Sequence, residues 1–130
     1  MSAAGKIQLR VLVERFSLHR FPPQHEIPPQ VFSGSFYSIS RSSEELSILC
    51  PASIPLDSPR CESGWSCLVV SGPLEFSLTG ILAGLSGVLA AAEISLFAVS
   101  TFDTDYLLVK SERLEQACAA LRGAGYLVDE

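Results

Sequence analysis

The chain has 130 residues, 48% apolar and 18% charged, with a formal net charge of -5. That composition describes a packed chain and excludes a disordered one. Residues 1–35 carry four basic and two acidic groups, residues 66–130 three basic and eight acidic, so no basic face is expected to neutralise phosphates and no nucleic-acid partner follows.

The length suits one ordinary domain or two small modules that share a core. At the amino end, MSAAGKIQLRVLVERF places Lys6 and Arg10 where a signal peptide would need its apolar centre, so no export signal is expected. Residues 20–30 (RFPPQHEIPPQ) contain four prolines, which exclude an α-helix there. Residues 46–49 read as a strand, and the Pro- and Ser-rich stretch after Cys50 (PASIPLDSPRCESG) reads as a loop. His19 and His25 have no ligand partner at metal-site spacing. Neither a metal nor a cofactor is expected.

The second half is more regular. Residues 66–71 (SCLVVS) form a β-rich run stopped by Gly72-Pro73. Ser77 then precedes Leu78, Ile81, Leu82, Leu85, Val88, Leu89 and Ala92, spaced three and four apart as on one helical face. Its hydroxyl suits an N-cap. Gly80, Gly84 and Gly87 fall inside this expected helix, each at a cost of about 1 kcal/mol relative to alanine. Such a cost points to close backbone approach. The run 80–92 is 13 residues long, short of the roughly 20 that a bilayer requires. No membrane partner is expected, and the cytoplasm is the expected compartment. The four cysteines (Cys50, Cys61, Cys67, Cys118) then read as thiols.

Residues 94–100 and 106–109 read as strands. Ser111 caps a second expected helix with Leu114, Ala117, Cys118 and Leu121 on its buried face, ended by Gly123 and Gly125. Residues 126–128 give a last strand. The order β-α-β-β-α-β is the ferredoxin-like pattern, with two helices covering one face of a four-stranded antiparallel sheet.

An offset of 60 residues lays Phe16-Ser17-Leu18 on Phe76-Ser77-Leu78, Phe36-Tyr37 on Leu96-Phe97, Ser40 on Ser100, and Glu45 on Asp105. Residues 46–49 then fall on 106–109, which suggests an internal repeat whose first copy has lost its helices. The expected fold is α+β: a degenerate, strand-rich module over residues 1–62, then a complete βαββαβ domain over 63–130. Without helices the first module cannot cover its own sheet, so module packing and a homodimer are expected.

Four stretches carry a family resemblance: Ser63-Gly64-Trp65, residues 72–82 (GPLEFSLTGIL), 94–109 (ISLFAVSTFDTDYLLV) and 44–51 (EELSILCP). Together they resemble small stand-alone tandem ACT-domain proteins over about residues 30–130. The branch is similar to the ACT pairs of a cytosolic arginine sensor. The resemblance implies a regulatory module that binds a small molecule, an amino acid with basic ones included. The sensor's ligand loop, a Thr-Phe pair, two variable residues and Asp, matches Thr101, Phe102 and Asp105, with Asp103 an additional acid. The start of the first ACT helix, where ligand often packs, corresponds to residues 75–80 and brings in Ser77, Thr79 and Gly80. The sensor uses four ACT units and this chain has two at most, so a comparable module interface implies a homodimer.

The residues alone leave two readings of residues 101–105 open. Asp and Thr are ordinary turn formers. Two acids at a strand end, opposite the positive end of a helix, also suit the ammonium and carboxylate of a free amino acid. No nucleophile elbow, HExxH or phosphate loop is present, so no catalytic residue is expected. The competing class is a ligand-free interaction module whose acids keep edge loops soluble.

Overall fold

The computed structural model describes residues 7–71 and 80–130. Seven strands occupy them: β1 (Gln8–Phe21), β2 (Ser38–Arg41), β3 (Leu46–Pro51), β4 (Arg60–Val70), β5 (Leu96–Ser100), β6 (Asp105–Lys110) and β7 (Leu127–Asp129), with helices α1 (Ile81–Ala91) and α2 (Leu114–Gly123). The chain divides into two compact units. One joins Ser66–Glu130 to the chain up to Val13, and the other is Glu14–Trp65. Both β1 and β4 run from one unit into the other. The boundary expected at residues 62 and 63 therefore falls inside β4, and the start of β1 belongs with the carboxy-terminal unit.

In that unit the chain runs β4-α1-β5-β6-α2-β7, the ferredoxin-like order. Strand β6 lies between β5 and β4, and β7 pairs with β1 rather than with β4. Gln8, Leu9 and Arg10 run parallel to Leu127, Val128 and Asp129, and the Ser71 N–H donates to the Gln8 carbonyl at 2.8 Å. The start of β1 is thus a fifth strand between β4 and β7, where the sequence reading expects four. Leu9, Leu68, Val70, Leu107 and Val109 form one core with Leu85 and Leu89 of α1 and Ala117, Cys118 and Leu121 of α2. Cys67, Val69 and Leu108 are buried as well. Because side chains alternate across a strand, β4 and β6 are covered on both faces, which is why they read as continuous apolar runs.

Helix α1 begins later than its periodicity predicts. Gly80, at φ 80°, stands before its first turn and not inside it, and its carbonyl accepts the Gly84 N–H at 2.8 Å. Leu85 and Leu89 are buried, Ile81, Leu82 and Val88 pack around them, and Ala92 is exposed. A Cβ on Gly84 would meet the Tyr126 hydroxyl at 2.9 Å, whereas one on Gly87 would meet nothing within 4 Å. Close approach accounts for Gly84 and not for Gly87. Leu78 and the expected cap Ser77 lie outside the described residues. Ser111 does not cap α2. It opens a 3-10 turn, Ser111–Arg113, and its hydroxyl lies 2.8 Å from that of buried Ser66, satisfying it.

The second unit has the strand order β2-β3-β1-β4, and no α-helix lies among its described residues. Phe16–Phe21 pairs antiparallel with Leu46–Pro51, and Ser38–Arg41 pairs with Leu46–Leu49. The prolines exclude an α-helix as expected, and Pro29 instead opens a 3-10 turn, Pro29–Ser33. The expectation that this module cannot cover its own sheet is corrected. Val31 from that turn is fully buried against Phe21, Leu46, Ile48 and Cys50, and Ile27, Ile54 and Leu56 close around them. Short loops do the work of the missing helices.

The two hairpins also correct the repeat register. Residues 42–45 link Arg41 to Leu46, and residues 101–104 link Ser100 to Asp105. In each, the first residue's N–H donates to the fourth residue's carbonyl, Ser42 to Glu45 at 2.9 Å and Thr101 to Thr104 at 2.8 Å. Each first hydroxyl also accepts the fourth N–H, at 3.3 Å in both. The offset at the hairpins is therefore 59. Glu44 corresponds to Asp103, Glu45 to Thr104, and Leu46 to Asp105.

Candidate functional site

Hairpin β5–β6 presents the residues that the sequence singles out. Ser and Thr at a turn's first position bond the local backbone and so fix its geometry. Thr101 does this twice, since its hydroxyl also donates to the Thr104 carbonyl at 3.1 Å. Thr104 in turn donates its hydroxyl to the Val70 carbonyl, which ties the hairpin to the end of β4. Phe102 is 79% exposed at the tip, and Asp103 beside it is exposed. Asp105 is half-buried as the first residue of β6 and accepts the Ser100 hydroxyl at 2.5 Å.

Thr101, Phe102, Asp103 and Asp105 are thus gathered on one rigid turn with an acidic edge. Asp105 retains acceptor capacity beyond its bond from Ser100, because a carboxylate offers about four lone-pair sites. Among the described residues nothing stands within 4 Å of where a Cβ on Gly80 would be, and no side chain caps the N–H groups that follow it. Ser77 and Thr79 lie outside the described residues. Among the described residues no hydrogen bond joins Gly80 to the hairpin.

A second concavity escapes the sequence reading. A cleft of about 500 Å³ in the amino-terminal unit is lined by Leu18, His19, Arg20, Glu45, Ser47, Arg60, Cys61 and Glu62. These residues come from β1, the β2–β3 turn, β3 and β4, so only strand pairing brings them together. Arg20 stands opposite Ser47 in the β1–β3 ladder. Of the lining residues, His19 is 5% exposed, with Nδ1 at 2.8 Å from the Ser58 hydroxyl and no partner for Nε2 among the described residues. Burial holds its pKa below the ordinary histidine value.

Cysteine chemistry is divided. Cys50, Cys67 and Cys118 are buried thiols, and Cys61 is exposed. Burial pushes Cys50 up to about 11 and Cys67 up to about 12, and it raises Cys118 as well. Thiols so shifted are poor nucleophiles. No group of His, Cys, Asp and Glu among the described residues is arranged to hold a metal ion. No helix among them is long and apolar enough to cross a membrane.

The ACT-domain family model matches residues 60–123, from β4 through α2, and a second model, for an N-terminal domain, matches residues 14–57. The cytosolic arginine sensor for mTORC1 subunit 1 from Mus musculus is 31% identical over 105 residues, 69% of this chain and 32% of the relative. Its counterpart from Pongo abelii is 31% identical over 116 residues, 82% of this chain and 35% of the relative. The chain spans about a third of the length of the curated relatives it matches. A crystal structure of a protein from Agrobacterium tumefaciens superposes with a TM-score of 0.86 at 39% identity, covering 94% of this chain and 91% of that one. Aspartate kinase from Synechocystis superposes at 0.65 with 13% identity over 100% of this chain and 29% of the enzyme, a likeness of fold alone.

Proposed function

The chain belongs to the ACT-domain family, and from that premise we propose that it is a non-catalytic regulatory protein of the cytoplasm that binds a free amino acid at the acidic edge of hairpin β5–β6. The observation that carries this reading is the ACT-domain match over residues 60–123, which includes the whole hairpin. Two relatives are cytosolic arginine sensors by name, which favours a basic or zwitterionic ligand. Asp105 anchors the cationic group, with Asp103 adding negative potential, Thr101 holding the turn and Phe102 offering an apolar face. The N–H groups after Gly80, with Ser77 and Thr79 earlier in the chain, take the carboxylate. A homodimer belongs to the same reading, and neither nucleic acid nor membrane is a partner.

One observation favours the other class, a ligand-free interaction module. Asp105 and Thr101 are already engaged by local hydrogen bonds, as a purely structural turn requires. Asp105→Asn separates the two, because the amide oxygen still accepts the Ser100 hydroxyl while the charge is gone. Calorimetric titration of wild type and Asp105→Asn with arginine, lysine and leucine is expected to show basic-ligand affinity reduced by about 1.5–3 kcal/mol in the variant. Equal affinities, or no heat with any ligand, would leave the interaction module standing.

A further inference from the structure

We infer that the amino-terminal unit carries a second ligand site, the cleft formed by β1, β3, β4 and the β2–β3 turn, and that it takes a small zwitterion of the free α-amino-acid class. Four charged side chains line it, Arg20 and Arg60 against Glu45 and Glu62. Two of the four stay unpaired. Neither the Arg60 guanidinium nor the Glu45 carboxylate has a hydrogen-bond or ion-pair partner among the described residues. Arg20 donates a single bond, to the Glu44 carbonyl at 3.2 Å, and keeps the rest of its five-donor fork. The cleft therefore holds separated, unspent charges of both signs.

The backbone keeps them apart. Glu45 closes the β2–β3 turn, its N–H held by the Ser42 hydroxyl and its carbonyl by the Ser42 N–H. Arg60 opens β4, and its carbonyl accepts the Ser58 hydroxyl at 3.0 Å. Each charge sits on a fixed anchor. A ligand with a carboxylate at one end and an ammonium at the other satisfies both, the carboxylate on the arginine forks and the ammonium on Glu45. Leu18 supplies apolar surface for a side chain, and about 500 Å³ lies within the range of small-molecule pockets. A dianion or dication would leave one sign unpaired. This site stands apart from the hairpin and does not rest on Asp105.

Cys61 lines the cleft and is the exposed thiol of the four, so its reaction with a thiol reagent reports occupancy in the intact, natively folded chain. Contacts between exposed charges are weak, so the twenty amino acids are tested at about 10 mM, near ten times a millimolar Kd. The expected result is that at least one slows Cys61 labelling about tenfold, the factor that occupancy at that ratio sets. Its N-acetyl and amide derivatives, each with one charge removed, should fail to protect. Arg60→Gln and Glu45→Gln, both on exposed side chains, should abolish protection, and Asp105→Asn should leave it intact. The inference is overturned if no amino acid protects, if protection survives both cleft variants, or if it disappears in Asp105→Asn. The last result would assign the effect to the hairpin.

Discussion

His19 shows how one residue's surroundings set a measurable property of the fold. Its ring is 5% exposed and lies between the Ser58 hydroxyl and Phe21, with ring centroids 6.4 Å apart in the second contact. Burial disfavours the charged ring and lowers its pKa from 6.5. A histidine with a depressed native pKa binds more protons when unfolded, so the native state loses stability as pH falls below 6.5 and through the lowered value. The melting temperature should therefore drop between about pH 7 and pH 5. His19→Gln, which does not titrate, should flatten that part of the profile. A wild-type profile flat over this window, or an unchanged slope in the variant, would exclude His19 as the group responsible. Sequence alone offers no sign of this, since the same histidine reads as one of two unmatched rings in a proline-rich half. Its partner Ser58 is 39 positions away, in the loop between β3 and β4, and only the folded unit makes them neighbours.

Elements were legible where one periodicity runs unbroken. The three-and-four spacing from Ile81 to Leu89 and the Leu114, Ala117, Cys118, Leu121 face both mark real helices. Strand β1 was not legible, although it is 14 residues long. Its apolar positions, Leu9, Val11, Leu12, Val13, Phe16, Leu18 and Phe21, keep no single two-residue alternation along its length. The hairpin turns were legible as turns, but only their bonding pattern gives the 59-residue offset and removes Glu45 as the counterpart of Asp105. Helix ends reward the same comparison. Both helices close with the same pair of bonds, Glu93 N–H to Ala90 and Ile94 N–H to Leu89 after α1, Gly125 N–H to Arg122 and Tyr126 N–H to Leu121 after α2. This motif needs a left-handed residue. After α2 it is Gly125 at φ 100°, and after α1 it is Glu93 at φ 60°. A glutamate there bears a steric cost of roughly 1–2 kcal/mol that glycine avoids. Glu93→Gly should therefore stabilise the protein by about 1 kcal/mol, once glycine's greater unfolded-state entropy is subtracted. Urea denaturation measures this directly, and a destabilised variant would contradict it.

For the whole molecule, the open question is what a second copy would pair with. The sequence places the reason for a homodimer in an uncovered sheet face, and the loops carrying Val31, Ile54 and Leu56 remove that reason. A different one stands at the sheet edge. Strand β5 ends the strand order, with β6 on one side and no strand among the described residues on the other. An edge strand normally protects its unpaired N–H and C=O groups with charge, proline or a bulge. The β5 sequence LFAVS contains neither a charge nor a proline. Ala98 is its central residue and is exposed. Two copies pairing antiparallel about the centre of β5 would set Ala98 against Ala98, and each sheet would continue into the other. Like charges directly opposite in such a pair are destabilising. Ala98→Lys therefore places two ammonium groups face to face at the twofold axis and leaves the exposed side of a monomer otherwise unchanged. Light scattering is expected to give a dimer mass for wild type and a monomer mass for Ala98→Lys at the same concentration, with closely matched melting temperatures once both are diluted to monomer. A monomeric wild type would remove the homodimer. A variant that stays dimeric would move the interface away from β5, and the hairpin tip with its exposed Phe102 would be the next edge to substitute.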